Sequence, residues 1–399
     1  IVFQPEVADE KEVIENVRVK EGGEAIETSQ PLEGYVDIQV KVMRDDVGGG
    51  YFQVLIQPNE KSAELNDVSK DVLFIIDHSG SIREGRLRQF KRITLEALAY
   101  LNPTDRFNIV SFAGKSETLF DSYVSPTQDN VQKAWKYVNR LASTGTTDVF
   151  GGVGPYVKRG NGDTTRPLIV FLMTDGQSTI SMHRSADQEV DNRKANDVLK
   201  AIASSNPGNV SIYPFSAGKD SNRMLMDFMA RLNGGMPFHA PRGDNFRAEL
   251  SSYMRTHLSF VVRNFRYIAE GHLAEDIYPK TLPHLYRNES LALYGKFGPA
   301  DDELVLTLFG YDAQGKLRNL VFKRKFSECE EIEQDSMESE IVSLREQWTA
   351  QKALHLLAEW VNSYDPSKDS HPEQRQRRRE LNQLMGTINA FSKYSALLQ

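Results

Sequence analysis

The sequence predicts an α/β fold: a doubly wound, mainly parallel sheet flanked by an antiparallel β-sandwich and a C-terminal helical segment. Three observations predict it. The short apolar runs Val72-Leu73-Phe74-Ile75-Ile76 and Leu168-Ile169-Val170-Phe171-Leu172-Met173 read as strands buried on both faces. Around them, segments with apolar residues at helical spacing alternate with further strands, which means a parallel sheet covered by helices. After about residue 263 the alternation stops and period-two patterns take over, followed by a long helical stretch.

The elements follow in order. Residues 1–34 are charged and Gly/Glu-rich, with a turn expected at Glu21-Gly22-Gly23-Glu24. Tyr35 to Val42 alternates apolar and polar, Asp45 to Gly50 is turn chemistry, and Tyr51 to Ile56 resumes the strand, so 35–57 reads as a hairpin. A polar link over about 58–70 leads to the first buried strand. A helix is expected from Leu87 to Leu101, ending before Pro103; a strand over Phe107 to Phe112; a helix from Asn130 to Leu141. After the second buried strand come a helix from Ala186 to Ser204, a strand from Val210 to Phe215, and a helix from Met224 to Leu232 closed by Gly234-Gly235. Residues 265–268, 290–297, 303–309 and 317–322 read as antiparallel strands. With the early hairpin they make one β-sandwich interrupted by the α/β unit, the alternative being two unconnected β pieces. Residues 337–399 read as helical, with Trp348, Leu354, Leu357 and Trp360 at helical spacing. Gln374 to Arg379 reads as a charged link whose face is solvated rather than a nucleic-acid patch. The expected domains are 1–67, an N-terminal β segment; 68–262, the α/β domain; 263–330, the rest of the sandwich; and 331–399, the helical region.

Charge and composition narrow the function classes. The 399 residues carry a net charge of −7, which argues against a nucleic-acid binder with its basic face. The single cysteine, Cys329, rules out an intrachain disulfide framework. No run of about 18 apolar residues exists to span a membrane. The chain starts at Ile1, which suggests removal of a signal peptide or an upstream segment. The sequons at Asn209 and Asn288, and the tripeptide Arg242-Gly243-Asp244, are short enough to arise by chance.

The chemistry concentrates in three segments. Asp77-His78-Ser79-Gly80-Ser81 follows the first buried strand, and in an extended segment the alternate residues Asp77, Ser79 and Ser81 share one side. Gly145-Thr146-Thr147-Asp148 and Thr174-Asp175-Gly176 complete the set. In a doubly wound sheet the loops past the carboxyl ends of neighbouring strands meet at one edge. Two carboxylates and three hydroxyls meeting there suit a hard divalent cation, and neutral hydroxyl ligands leave its charge under-compensated, so that it attracts one more anionic oxygen from outside. Ser and Asp also cap helices and turns, and a single motif of this kind would not decide between the two readings. Asp148 reads as a turn or outer-layer residue of the site, and His78, set between ligand positions, points away from them.

Asp-x-Ser-x-Ser after a buried strand, then Gly-Thr-Thr, then Thr-Asp-Gly, resembles the von Willebrand factor A (VWA) domain with its metal-ion-dependent adhesion site, over about residues 70–262. The resemblance implies a Rossmann-like fold and a bound Mg²⁺, with Mn²⁺ or Ca²⁺ as alternatives. It implies Asp77, Ser79, Ser81, Thr147 and Asp175 as metal ligands, direct or through water. It also implies a protein partner that supplies an Asp or Glu carboxylate, and coupling to movement of the last helix, about 243–262. A wider resemblance, to inter-alpha-trypsin inhibitor heavy chains and their bacterial relatives, rests on Gly50 to Pro58, Tyr278 to Tyr286 and Leu293 to Phe297. It implies an extracellular, cell-surface or periplasmic setting. The sequence lacks the complete upstream domain of those proteins and their Asp-Pro-His-Phe processing signal, so covalent glycosaminoglycan attachment is not implied.

No enzyme is expected. Neither Ser79 nor Ser81 has a base held near it, and no Gly-x-Ser-x-Gly or His-Glu-x-x-His occurs. Gly151-Gly152-Val153-Gly154 lacks the P-loop lysine and reads as close helix packing. The leading reading is a metal-dependent binding module. The alternatives are an intracellular co-subunit of an AAA-type ATPase and a purely structural ion.

Overall fold

The computed structural model describes residues 29–163, 165–176, 188–217, 221–240, 246–332, 343–363 and 372–386. The expected turn at Glu21 to Glu24 and the tripeptide at 242–244 lie outside them. The chain forms two compact units, one of them Ser69–Leu258.

Three strands come first: β1 (Ser29–Pro31), β2 (Val36–Arg44) and β3 (Gly50–Pro58). β2 and β3 pair as an antiparallel hairpin running from Val36 opposite Pro58 to Arg44 opposite Gly50. Their alternation turns Val40, Val42, Phe52, Val54 and Ile56 inward. The polar link that follows contains a turn of 3₁₀ helix, Glu60–Glu64, capped by the Asn59 side chain.

The α/β unit contains, in order, β4 (Asp71–Asp77), α1 (Glu84–Ala97), β5 (Arg106–Phe112), β6 (Ser116–Thr118), α2 (Gln128–Arg140), α3 (Val149–Arg159), β7 (Leu168–Met173), α4 (Gln188–Ser205), β8 (Val210–Ala217), α5 (Arg223–Leu232), β9 (Phe238–Ala240) and α6 (Arg247–Leu258). The sheet order is β6-β5-β4-β7-β8-β9. Every pairing is parallel except that of β5 with β6. β4 is central and wholly buried along its length. The chain leaves β4 for β5 on one side and later returns to β7 on the other, so the carboxyl end of β4 is a topological switch point where two loops diverge and a crevice opens. α3 holds three glycines and Pro155, poor helix formers on their own. Tertiary packing explains them: a Cβ on Gly152 would stand 2.5 Å from the Phe112 ring, so only bare backbone lets α3 lie this close to β5.

The second unit continues with β10 (Phe260–Ala269), β11 (Leu285–Tyr286), β12 (Leu291–Phe297), β13 (Glu303–Tyr311), β14 (Leu317–Lys325), β15 (Glu330–Glu331), α7 (Leu344–Ser363) and α8 (Pro372–Gly386). One sheet runs β1-β14-β13-β10-β11 and the other β12-β3-β2-β15. β12 pairs with β3 from Leu291 opposite Ile56 to Phe297 opposite Gly50. The early hairpin and the late strands therefore share one sheet, and both sheets contribute to one apolar core that includes Val54, Phe52, Phe265, Leu293, Leu306 and Leu308. On α7, Trp348, Leu357 and Trp360 are buried, and the Trp348 indole N–H donates to the Asp276 carbonyl at 2.7 Å. The charged run 374–379, read as a link, lies inside α8. Its residues are good helix formers, and Arg377 reaches back to Glu359 of α7 at 2.7 Å.

Candidate metal centre

β4 ends in Asp77, whose carboxylate is wholly buried. Both of its oxygens accept hydrogen bonds. The Ser79 backbone N–H donates to Oδ1 at 2.9 Å, the short-range turn an aspartate favours. The Thr174 hydroxyl, just past β7, donates to Oδ2 at 2.6 Å and accepts from the Gly176 N–H at 3.0 Å. Beside Asp77 three hydroxyl oxygens form a triangle: Ser79 Oγ to Thr147 Oγ1 is 2.8 Å, Ser79 Oγ to Ser81 Oγ is 3.0 Å, and Ser81 Oγ to Thr147 Oγ1 is 3.3 Å. Ser79 and Thr147 are buried, and Ser81 is exposed at the mouth. Asp175 is buried too, and its backbone carbonyl accepts from the Asn222 N–H at 2.8 Å. Its Oδ2 lies 3.7 Å from Arg86 Nη1.

Burial pushes the Asp77 carboxyl up to about 6, because a charge without water is costly, and the nearby negative charge of Asp175 adds to the rise. The hydrogen bonds from Ser79 and Thr174 hold the rise back.

The loops that carry these groups are tied by backbone. The Gly80 N–H donates to the Gly145 carbonyl at 3.0 Å, the Thr144 N–H to the His78 carbonyl at 2.9 Å, and the His78 N–H to the Phe112 carbonyl at 2.9 Å. Gly145 has φ +75°, a left-handed conformation that favours glycine. His78 places Nδ1 3.0 Å from the Ala142 carbonyl, a contact outside the hydroxyl triangle. Asp148 caps α3, its Oδ1 accepting the Gly151 N–H at 2.9 Å, and so sets the helix that follows Thr147.

Asp77, at the end of β4, and Ser79, Ser81, Thr147 and Asp175, in the loops, therefore all lie at the carboxyl edge of the sheet. Thr174 is the residue that sequence reasoning passed over: Thr-Asp-Gly was read for its aspartate, while the threonine orients Asp77. Among the described residues no three His, Cys, Asp or Glu side chains gather as a metal cluster. The donor set is two carboxylates plus hydroxyls, all oxygen, and it fits a hard cation that keeps waters rather than a soft one.

A Ser-His-Asp chain does occur elsewhere in the unit, in residues that no sequence motif joins. Ser216 Oγ lies 2.5 Å from His239 Nδ1, and His239 Nε2 lies 2.6 Å from Asp227 Oδ1. Ser216 is wholly buried, so it offers no face to a substrate, and the chain ties β8 and β9 to α5. The sequon asparagine Asn209 is likewise engaged internally, donating to Asn161 Oδ1 and to the Asp163 and Arg166 carbonyls at 3.0–3.1 Å.

Sheet order, helices on both faces and the three-loop site define a VWA-type domain, and residues 71–251 match the family model "von Willebrand factor type A domain". The chain carries that domain. Among curated proteins it is similar to inter-alpha-trypsin inhibitor heavy chain 4 of Mus musculus, 24% identical over 309 residues, covering 74% of this chain and 31% of that one. It is also similar to heavy chain H1 of Mesocricetus auratus, 26% identical over 216 residues, covering 51% of this chain and 22% of that one. The chain thus spans a third or less of the length of these relatives. A solved structure, the von Willebrand factor type A protein from Catenulispora acidiphila, shares the fold at TM-score 0.54 and 13% identity, covering 94% of this chain and 91% of that one.

Proposed function

We propose that the α/β unit is a metal-dependent binding module. Asp77, Ser79, Ser81, Thr147 and Asp175 hold a divalent cation, Mg²⁺ first and Mn²⁺ or Ca²⁺ as alternatives, and a partner protein completes the site with an Asp or Glu carboxylate. The observation that carries this reading is the pair of buried carboxylates beside a hydroxyl triangle of 2.8–3.3 Å edges that ends at exposed Ser81. The bound cation would supply an under-compensated positive charge at the surface. This chain's residues do the rest: Thr174 and the Ser79 amide hold Asp77 in place, and Asp148 fixes the start of α3 behind Thr147. The VWA match and the likeness to heavy chains support an adhesion-type role in an extracellular, cell-surface or periplasmic setting.

Immobilised peptides containing Asp or Glu, probed with the chain in Mg²⁺ and in EDTA, test the reading. Binding is expected in Mg²⁺ only, lost in Asp175→Ala and lost when the peptide carboxylate becomes an amide. Binding that survives EDTA overturns it.

A further inference from the structure

We infer that Arg86 is the built-in competitor of the metal: a guanidinium that balances the Asp175 carboxylate when no cation is bound and weakens the cation's hold when one is. The inference rests on the metal-binding reading above and adds a residue that the ligand motif does not contain.

The geometry has three parts. Arg86 lies in the first turn of α1, and α1 is anchored by buried Leu87, Phe90 and Ile93, so the arginine backbone is fixed relative to β4. Its side chain is 15% exposed and that of Asp175 is 3% exposed, so their interaction is only weakly screened. The separation is 3.7 Å, longer than the 2.7–2.9 Å of a charge-assisted hydrogen bond. At that range Arg86 offsets the charge of Asp175 without the short contact of a charge-assisted hydrogen bond. Glu84, the acidic neighbour on the same turn, is engaged elsewhere, accepting the Ser143 N–H at 2.9 Å. A guanidinium does not deprotonate in proteins, so its competition persists at every working pH.

The consequence is an exchangeable site. Positive charge beside Asp175 repels an incoming divalent cation, and the same charge relieves the Asp77–Asp175 repulsion once the cation leaves.

Mn²⁺ titration by calorimetry, with no partner present, tests this. Arg86→Gln is expected to bind Mn²⁺ about five- to tenfold more tightly than the parent chain, as loss of one nearby like charge in a partly screened site implies. Arg86→Lys should stay within about twofold of the parent, since the charge remains. In EDTA the glutamine variant should melt lower than the parent, and its gain in Tm on adding Mg²⁺ should be larger. Arg86→Met, which keeps the apolar stem, carries the same expectation should the glutamine variant not fold. Equal or weaker Mn²⁺ binding by the uncharged variants overturns the inference while leaving the metal centre standing. A parent chain that binds no Mn²⁺ overturns both.

Discussion

The two ends of β4 treat buried carboxylates in opposite ways. At its amino end Asp71, wholly buried, receives Arg106 at 2.6 and 2.8 Å, Arg166 at 2.9 Å and the Asn161 amide at 3.0 Å. Beside it Lys70 and Asp105, both wholly buried, pair at 3.1 Å. At its carboxyl end Asp77 is held by Ser79 and by the Thr174 hydroxyl, and the guanidinium near Asp175 stands off at 3.7 Å. Buried charge is stable only when paired and hydrogen-bonded. The first end meets that condition with direct, short ion pairs. At the second, Asp77 takes neutral donors and the Arg86 guanidinium stands off from Asp175, as the proposed cation site would require.

The contrast breaks most sharply at Asp71. Replacing it with alanine leaves two arginines around a hole, and chemical denaturation should show a loss of about 3 kcal/mol, the low end for breaking a buried pair because Arg106 reaches solvent. Asp77→Asn should act in the opposite direction. In EDTA at pH 8 it removes a carboxylate that burial makes costly to ionise, and stability should rise by ~1–3 kcal/mol while divalent-ion binding disappears.

The pH dependence sharpens the same point. Because the folded carboxyl of Asp77 titrates at about 6, above its ordinary 3.8, its cost is complete above pH 6 and fades on acidification toward 4. His257 runs the other way. Burial lowers it from 6.5 to about 4, so the unfolded chain takes up its proton first and stability falls as pH drops through that interval. Without metal the two oppose each other in the parent chain, and in Asp77→Asn only the fall remains. Denaturation midpoints at pH 8, 6 and 4.5 read this directly. The smallest effect belongs to Thr174→Val, which removes one donor to Asp77. It should cost about 1 kcal/mol and weaken Mn²⁺ binding near pH 6.5 by roughly threefold.

Much of this was legible in residues. The run Val72 to Ile76, short and rich in β-branched residues, reads as a buried strand, and that placed Asp77 at the strand end beside the other candidate ligands. Asp175 followed from the same logic, past the run Leu168 to Met173, whereas Thr147 came from the Gly-Thr-Thr segment and the family resemblance. What escaped the sequence had no local pattern to show it. Ser116–Thr118 is a three-residue edge strand with every side chain exposed, so no apolar alternation marks it. The run 374–379 looked like a link because charge dominates its composition, yet nothing in it breaks a helix. Period two identified the early hairpin but not its partner, which is β12 on the far side of the α/β unit in sequence. Arg86 beside Asp175, and Ser216 beside His239 and Asp227, are meetings made by the sheet order, and spacing alone does not announce them.

The rim of the candidate metal centre is sewn together by main-chain atoms: Gly80 to Gly145, Thr144 to His78, His78 to Phe112. Main-chain bonds are indifferent to side-chain identity. Thr144 and Thr146 stand exposed on that rim, and the bonds that shape it do not pass through their hydroxyls. The face around the site is therefore open to substitution while the proposed ligand positions stay where they are. On the proposed binding reading, one scaffold of this kind can be re-addressed to new partners by changing the decoration of its rim, with Gly145 as a position where the left-handed turn limits what can be changed.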